Sequence, residues 1–328
     1  MILTSDPDFW RAQLGRPVLE RLGVAPAEVL AYVASVNASQ QINQQGSQQG
    51  VQQSDPALAA SPEAVVLAAD FLADVQNAMA EMPPSLLKLL ARPLLGVYFA
   101  RGLGSSALTD VVMAPDGQQL GVVCLMDTDA FLHRAANDWA TWKEYTPFLP
   151  QDQYRIDVII ETPDNDNRKN AIQFILLHEF GHVLNANSEY LPDWWIGSKR
   201  FKSTEEYSYL SLAWQIAMSG DVIPLLRNDF PQRKHLRFYT GEQLPGELIP
   251  EIYQDLQKTS FPTLYAATNV YDDFADGFAS YVHEVIQQRP FEICIRQGEQ
   301  TIMELRDYWS GPKAKARASV FAEMFAGA

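Results

Sequence analysis

The chain has 328 residues, with 40 Asp and Glu against 25 Lys and Arg, so its formal net charge is −15. This acidic balance argues against a general nucleic-acid surface or a surface for anionic membranes, because phosphates require Lys and Arg. Hydrophobic residues make up 47% of the chain, which is enough for a sizeable core. The two cysteines, Cys124 and Cys294, are too few for a disulfide framework and are expected to be reduced.

The start of the chain carries no pattern of a targeting segment. Residues 1–10 contain Asp6 and Asp8 where a secretory signal needs a basic end followed by an apolar run. No apolar stretch reaches the roughly 20 uncharged residues that span a bilayer. We therefore expect a cytoplasmic protein with no membrane partner, and export by a route without such a signal stays an alternative.

The first 60 residues divide into two segments of different composition. Residues 26–36 predict one helix, and residues 39–54 read SQQINQQGSQQGVQQS, with four Gln-Gln pairs and no charged residue. A segment this polar has little apolar surface to offset the entropy of ordering. We predict an N-terminal helical segment over 1–38 and a Gln-rich linker over 39–60, with a polar helix as the alternative for the linker.

The remaining residues, 61–328, are predicted to form one main domain. Ser61 and Pro62 resemble a helix start, and Pro83 and Pro84 end that helix near residue 82. Alternating and β-branched segments predict strands at 95–101, 108–113, 120–126 and 154–161. Beyond the last of these strands the pattern is helical almost to the end of the chain. The expected fold class is therefore mixed α+β, with strands before helices.

One predicted helix, residues 168–185, carries the strongest chemical pattern. It contains the run HEFGH at residues 178–182, which is the H-E-x-x-H spacing. His178 and His182 lie one turn apart on the same helix face, so both imidazoles can reach one ion. Glu179 lies about 100° around the helix, close enough to meet a water on that ion. Zinc binds neutral imidazole at about 2.0–2.1 Å and keeps an open position in catalytic sites, so the pattern predicts a zinc centre.

A third protein ligand is required, and two places in the chain offer one. Glu205 and Glu206 follow His182 by 23 and 24 residues, in a polar context. Asp272 and Asp276 lie at positions i and i+4 of a second predicted helix, so one carboxylate can bind the ion while the other orients an imidazole. The structural alternative for the two aspartates is an acidic first helical turn, which the helix dipole favours.

The stretch from Tyr265 to residue 281, YAATNVYDDFADGFASY, resembles the E-x-F-A-E signature of gluzincin metallopeptidases of the anthrax lethal factor type, which Tyr-Ala-x-Thr-Asn often precedes. The resemblance implies Asp272 as third metal ligand, Asp276 as the group that orients a ligating imidazole, and Tyr265 as a phenol facing the site. Both acidic positions hold Asp in place of Glu. The shorter side chain therefore requires a closer helix, or Asp273 substitutes, or the metal binds weakly. The implied fold is zincin-like: a small mixed sheet packs on the HExxH helix, and a mainly helical part follows.

Together these residues predict a zinc-dependent peptidase with a peptide or protein substrate. Zinc would activate a water and polarise the scissile carbonyl, Glu179 would accept the proton, and Tyr265 would donate a hydrogen bond to the oxyanion. The strand at 120–126 is the expected edge on which an extended peptide adds. Two other functions stay open: a metal-binding or regulatory protein that keeps the fold without turnover, and a hydrolase for a non-peptide amide.

Overall fold

The structure, a computed structural model, describes residues 1–46, 61–239 and 241–327, with the backbone alone for 40–46. It has the mixed α+β architecture that the sequence predicts. None of the helices in these ranges combines the length and the apolar character that a membrane crossing needs.

The strands form three sheets, of which the largest lies against the HExxH helix. Their bounds are β1 Ile2–Leu3, β2 Leu22–Val24, β3 Glu63–Ala64, β4 Leu94–Arg101, β5 Ala107–Met113, β6 Gln119–Asp127, β7 Tyr154–Ile159, β8 Trp214–Ile216, β9 Val222–Pro224, β10 Glu292–Gln297 and β11 Gln300–Leu305. The six-stranded sheet has the order β1-β5-β6-β4-β2, with β3 paired to β4. Within it, β5 runs antiparallel to β6, while β4 and β6 are parallel. The order β11-β10-β7 forms a second, antiparallel sheet, and β8 and β9 form a hairpin.

The described ranges contain ten α-helices. Their bounds are α1 Pro7–Leu14, α2 Ala27–Gly46, α3 Ala69–Ala80, α4 Pro84–Leu90, α5 Ala136–Tyr145, α6 Arg168–Asn185, α7 Leu210–Ala213, α8 Ile249–Leu256, α9 Val270–Ser280 and α10 Lys315–Ala326. A π-helical turn, Tyr281–Ile286, extends α9 directly. The predicted helix over 168–185 has the same bounds as α6, and Asn167 caps it by accepting from the backbone amide of Asn170.

The N-terminal residues are hydrogen-bonded into the main sheet. β1 pairs in parallel with the end of β5, and β2 pairs in parallel with β4. The segment 1–38 thus supplies two strands of the main sheet besides its helices. Helix α2 continues through Gly46, into the first part of the segment predicted as a Gln-rich linker. Residues 47–60 of that predicted linker lie outside the described residues.

Two predictions about secondary structure are wrong. The helix expected from Ser61 begins only at Ala69, because Glu63 and Ala64 pair with β4 as strand β3. The part after α6 is not helical almost to the end, since β10 and β11 form a hairpin that extends β7. The turn between them contains Gly298, whose φ of 58° is a conformation that glycine adopts without strain.

Helix α6 lies inside the core and contacts elements on several sides. It packs on β5 and β6 of the sheet, on α3 and α5, and most extensively on α9. Ile172, Leu176 and Leu177 are fully buried, in agreement with a helix that is apolar around most of its surface. This position holds the HExxH run between the sheet and α9.

Candidate metal centre

The close approach of α6 and α9 depends on a glycine. A Cβ added to Gly181 would lie 2.8 Å from the Cα atom and 3.2 Å from the carbonyl oxygen of Ala275. The two backbones can therefore be this close only because residue 181 has no side chain and residue 275 has a small one. A close approach of the two helices is what the sequence requires if an aspartate, one methylene shorter than a glutamate, is to reach the histidines of α6.

Three donor atoms converge between the two helices. The Nε2 atoms of His178 and His182 are 3.2 Å apart, and Asp272 Oδ1 lies 3.8 Å from the first and 3.5 Å from the second. All three donor groups fall within 4.8 Å of one another. Donors bound at about 2.0–2.1 Å to a tetrahedral ion are separated by about 3.3 Å, so the spacing fits one zinc ion.

Asp272 is oriented by its own helix start. Asn269 caps α9 by accepting from the backbone amides of Tyr271 and Asp272, and its side-chain amide donates to Asp272 Oδ2. Thr268 Oγ1 donates to the same oxygen at 3.2 Å. These bonds engage Oδ2 and leave Oδ1 directed at the imidazoles.

The alternative third ligands lie elsewhere. Asp273 is fully buried on the other side of α9, where Arg317 binds both of its carboxylate oxygens at 2.6 and 2.9 Å. Glu205 and Glu206 are exposed in a short 3₁₀ turn, and Glu206 caps that turn by accepting from Ser203. Within the described part of the chain, the histidine pair is therefore joined by Asp272.

Asp276 contacts the far side of one imidazole. Its Oδ1 lies 2.6 Å from Nδ1 of His178, the nitrogen that does not face the donor cluster. Thr263 donates to Oδ2, and the ammonium of Lys143 lies 3.6 Å from Oδ1. Burial raises the pKa of Asp276, but the Lys143 charge and the bond to His178 outweigh it and hold that pKa far below its usual range. The arrangement fixes the ring orientation of His178, as carboxylates behind metal-binding histidines do.

His182 and Asp272 shift each other's pKa. Burial alone lowers the pKa of His182, but the hydrogen bond to Asp272 and the Glu179 charge raise it above its usual value. Burial likewise raises the pKa of Asp272, and the same hydrogen bond, with the charge of His182, lowers it below its usual value. The donor cluster is therefore a region that attracts positive charge.

Glu179 projects toward the sheet, next to the donor cluster. The hydroxyl of Thr109 on β5 donates to Glu179 Oε2 at 2.5 Å, and the side chain is almost fully buried. This bond fixes one carboxylate oxygen against the strand. Thr109 lacks any sequence motif, and its role follows only from the register of β5 over α6.

Two phenols lie near the donor cluster. The Tyr265 ring lies 5.5 Å from the His178 ring, and burial, with the nearby charge of Asp272, raises the pKa of its hydroxyl well above the usual value. The Tyr239 ring lies 6.3 Å from that of Tyr265. Burial also raises the pKa of Tyr239, with the Asp276 charge contributing, so both hydroxyls stay protonated near neutral pH. Tyr239 was missed in the sequence, where a lone tyrosine in a loop gives no signal.

The prediction that residues 120–126 form the sheet edge on which a peptide adds is wrong. The predicted strand 120–126 corresponds to β6, which lies between β5 and β4 and has a neighbour on each side. Strand β5 lies closer to the sheet edge and contacts α6. Its partner β1 pairs only with Val112 and Met113, so the described residues place no strand beside the rest of that edge.

The structure thus brings together His178, Glu179, His182, Tyr265, Asp272 and Asp276 from two separate parts of the chain, residues 178–182 and 265–276. Sequence motifs single out each of these six residues, whereas Thr109, Lys143, Tyr239 and Thr263 are identified only by the packing. The chain matches no protein-family model, no curated protein and no solved structure. The chemistry of this site is therefore the basis for assigning a function.

Proposed function

We propose that the chain is a zinc-dependent peptidase with a gluzincin-like centre on a zincin-like fold. The observation that carries this proposal is the convergence of two imidazole nitrogens and one carboxylate oxygen within 4.8 Å. Asp276 behind His178 and Glu179 beside the cluster complete the set of groups that such a reaction needs.

The donor set fits zinc better than the harder divalent cations. Zinc accepts two imidazoles and one carboxylate in catalytic sites, whereas magnesium and calcium prefer oxygen ligands alone. His178, His182 and Asp272 would hold the ion. When bound, zinc supplies Lewis-acid activation of a water and of the scissile carbonyl.

The protein's own groups account for proton movement and charge stabilisation. The carboxylate of Glu179 accepts a proton from the attacking water and later delivers that proton to the leaving amine. The bond from Thr109 to Oε2 holds this carboxylate in place during both steps. Tyr265 remains a protonated phenol and donates a hydrogen bond to the oxygen that becomes negative, a contribution of roughly 3–4 kcal/mol where such donors have been removed.

Strand β5 provides a place for the substrate backbone. Residues 107–111 contain Thr109, which contacts Glu179, so a peptide paired along this edge passes directly beside the general base. Backbone pairing at a sheet edge accepts many sequences, because the hydrogen bonds involve main-chain atoms. A peptide or protein substrate is therefore a better fit to the site than a small non-peptide amide.

The decisive test compares Glu179→Gln with the matched variant Glu206→Gln, which changes an exposed glutamate outside the centre. Zinc content and affinity are measured by metal analysis and chelator competition, and hydrolysis is measured on a peptide library. We expect both variants to bind zinc like the unchanged protein. Glu179→Gln should lower the cleavage rate by about 10²–10⁴-fold, and Glu206→Gln should not change it.

Two results would contradict the proposal. Equal hydrolysis by Glu179→Gln and the unchanged protein would remove the general base from the mechanism. A chain that binds zinc through these residues but cleaves no member of the peptide library, with or without chelator, would favour the alternative of a metal-binding or regulatory protein without turnover.

A further inference from the structure

A buried ammonium group lies beside the candidate centre, on an element that supplies no metal ligand. Lys143 belongs to α5, and its side chain is only 8% exposed. Lysine is rarely buried to this extent unless its charge is paired. Its position therefore requires an account of what the charge contacts.

Lys143 contacts two groups of the centre at once. Its Nζ lies 3.6 Å from Oδ1 of Asp276, the same oxygen that meets Nδ1 of His178. The same Nζ lies 4.3 Å from the centroid of the Tyr265 ring. An ammonium over the face of a phenol is attracted by the ring, and the attraction is stronger where water is excluded.

The surrounding charges leave Asp276 as the principal partner. The neighbouring Glu144 is also buried, but its carboxylate accepts a hydrogen bond from the hydroxyl of Tyr253. Asp276 and Tyr265 come from two different segments, the helix α9 and the loop before it. A single ammonium that contacts both fixes their relative positions.

We propose that Lys143 is a positioning residue that fixes Asp276 behind His178 and fixes the Tyr265 phenol beside the His178 ring. The part of this inference that concerns Tyr265 rests on the proposed function, because it assumes hydrolysis. The part that concerns Asp276 assumes only that zinc binds. The side-chain contacts of Lys143 are with Asp276 and Tyr265, and neither of these is one of the three metal ligands. Its effect on zinc passes through Asp276, and its effect on hydrolysis passes through Tyr265.

The first test measures zinc affinity and needs no activity. The effect of Lys143→Met on zinc affinity is measured by chelator competition twice, once in the otherwise unchanged protein and once in the Asp276→Asn variant. Loss of the ammonium should lower zinc affinity by up to about tenfold, less than loss of the carboxylate behind the imidazole itself. In the Asp276→Asn background the same substitution should have an effect below about twofold, because the contact that transmits it is gone.

The matched control is Lys258→Met, since Lys258 is 66% exposed and pairs with Asp255 of α8, a helix that supplies no group to the centre. It should leave zinc affinity unchanged. If Lys143→Met lowered zinc affinity equally in the unchanged protein and in Asp276→Asn, the inference would be overturned. A rise in zinc affinity would also overturn it, because it would mean that Lys143 only repels the cation. If Lys143→Met does not fold, Lys143→Gln keeps a donor for Asp276 without the charge, and the same pair of backgrounds applies.

The second test is kinetic and uses Tyr265→Phe. Lys143→Met should lower kcat about tenfold and leave KM within about threefold, because the phenol acts in the transition state. In the Tyr265→Phe variant, Lys143→Met should cause no further loss of kcat. Equal loss with and without the hydroxyl would overturn the link to Tyr265. A chain that shows the zinc result but hydrolyses no peptide would refute the proposed function while leaving the role of Lys143 behind Asp276 intact.

Discussion

Asp272 and Asp273 are neighbours on α9, and their carboxylates face different environments. Oδ1 of Asp272 lies 3.5 and 3.8 Å from two imidazole nitrogens, and only its other oxygen is engaged by local donors. Both oxygens of Asp273 are bound by the Arg317 guanidinium, and Oδ2 also accepts from Trp214 at 2.8 Å. The two regions contain the same side chain on the same helix and differ only in partners.

The comparison shows what distinguishes a structural acid from an acid that can bind a cation. A guanidinium fork satisfies both carboxylate oxygens and neutralises the charge, so Asp273 has no oxygen left for a metal. The imidazoles near Asp272 are neutral when they bind zinc, so in the loaded site the metal ion compensates the charge of this carboxylate. The extent of burial does not distinguish the structural acid from the cation-binding acid, because both carboxylates are largely buried.

The largest expected effect comes from breaking the structural pair. Arg317→Met leaves the buried Asp273 charge without its partner, and this should lower the free energy of unfolding by about 3–5 kcal/mol. Arg306→Met is the matched control, since that guanidinium is 56% exposed, and it should change stability by less than 1 kcal/mol. Denaturant unfolding measures both. The zinc affinity of the folded protein should be unchanged, and a parallel loss of zinc binding would contradict the separation of the two regions.

The second-largest effect concerns Asp272, the third metal ligand. Asp272→Ala should lower zinc affinity by more than about 100-fold, beyond the range caused by losing a group that only orients a ligand. Glu206→Ala, at the alternative third ligand, should leave affinity unchanged because that side chain is exposed and caps a turn. Metal analysis after dialysis against a chelator distinguishes them. The reverse ranking would transfer the third ligand to the turn at Thr204–Glu206.

These two regions were not equally predictable from the sequence. The H-E-x-x-H spacing and the i, i+4 aspartates are local patterns, and α6 has the predicted bounds. The partner of Asp273 is 44 residues away and Lys143 reaches α9 from another helix, so no spacing rule connects them. The short strand β1 also escaped prediction, because two residues become a strand only through pairing with β5. Local periodicity predicts elements, and tertiary packing selects their partners.

The third effect tests the acid behind the imidazole. Asp276→Ala should lower zinc affinity by about 10–100-fold, since His178 loses the acceptor at 2.6 Å that orients its ring. Asp276→Asn keeps an acceptor oxygen at nearly the same place and should cost less than the alanine variant. Chelator competition orders the three proteins. Equal affinity of the alanine variant and the unchanged protein would show that His178 is held by packing alone.

The smallest effect concerns the distance between α6 and α9. Gly181→Ala places a Cβ within 2.8 Å of Ala275, so the helices must separate by a few tenths of an ångström, and Asp272 then reaches the imidazoles less well. We expect zinc affinity to fall by less than about tenfold. Gly197→Ala is the matched control, because nothing lies within 4 Å of the added atom. Adding Asp272→Glu to Gly181→Ala should restore part of the affinity, since the extra methylene spans the wider gap. A double variant that binds zinc more weakly than Gly181→Ala alone would show that helix separation does not set the reach of the third ligand.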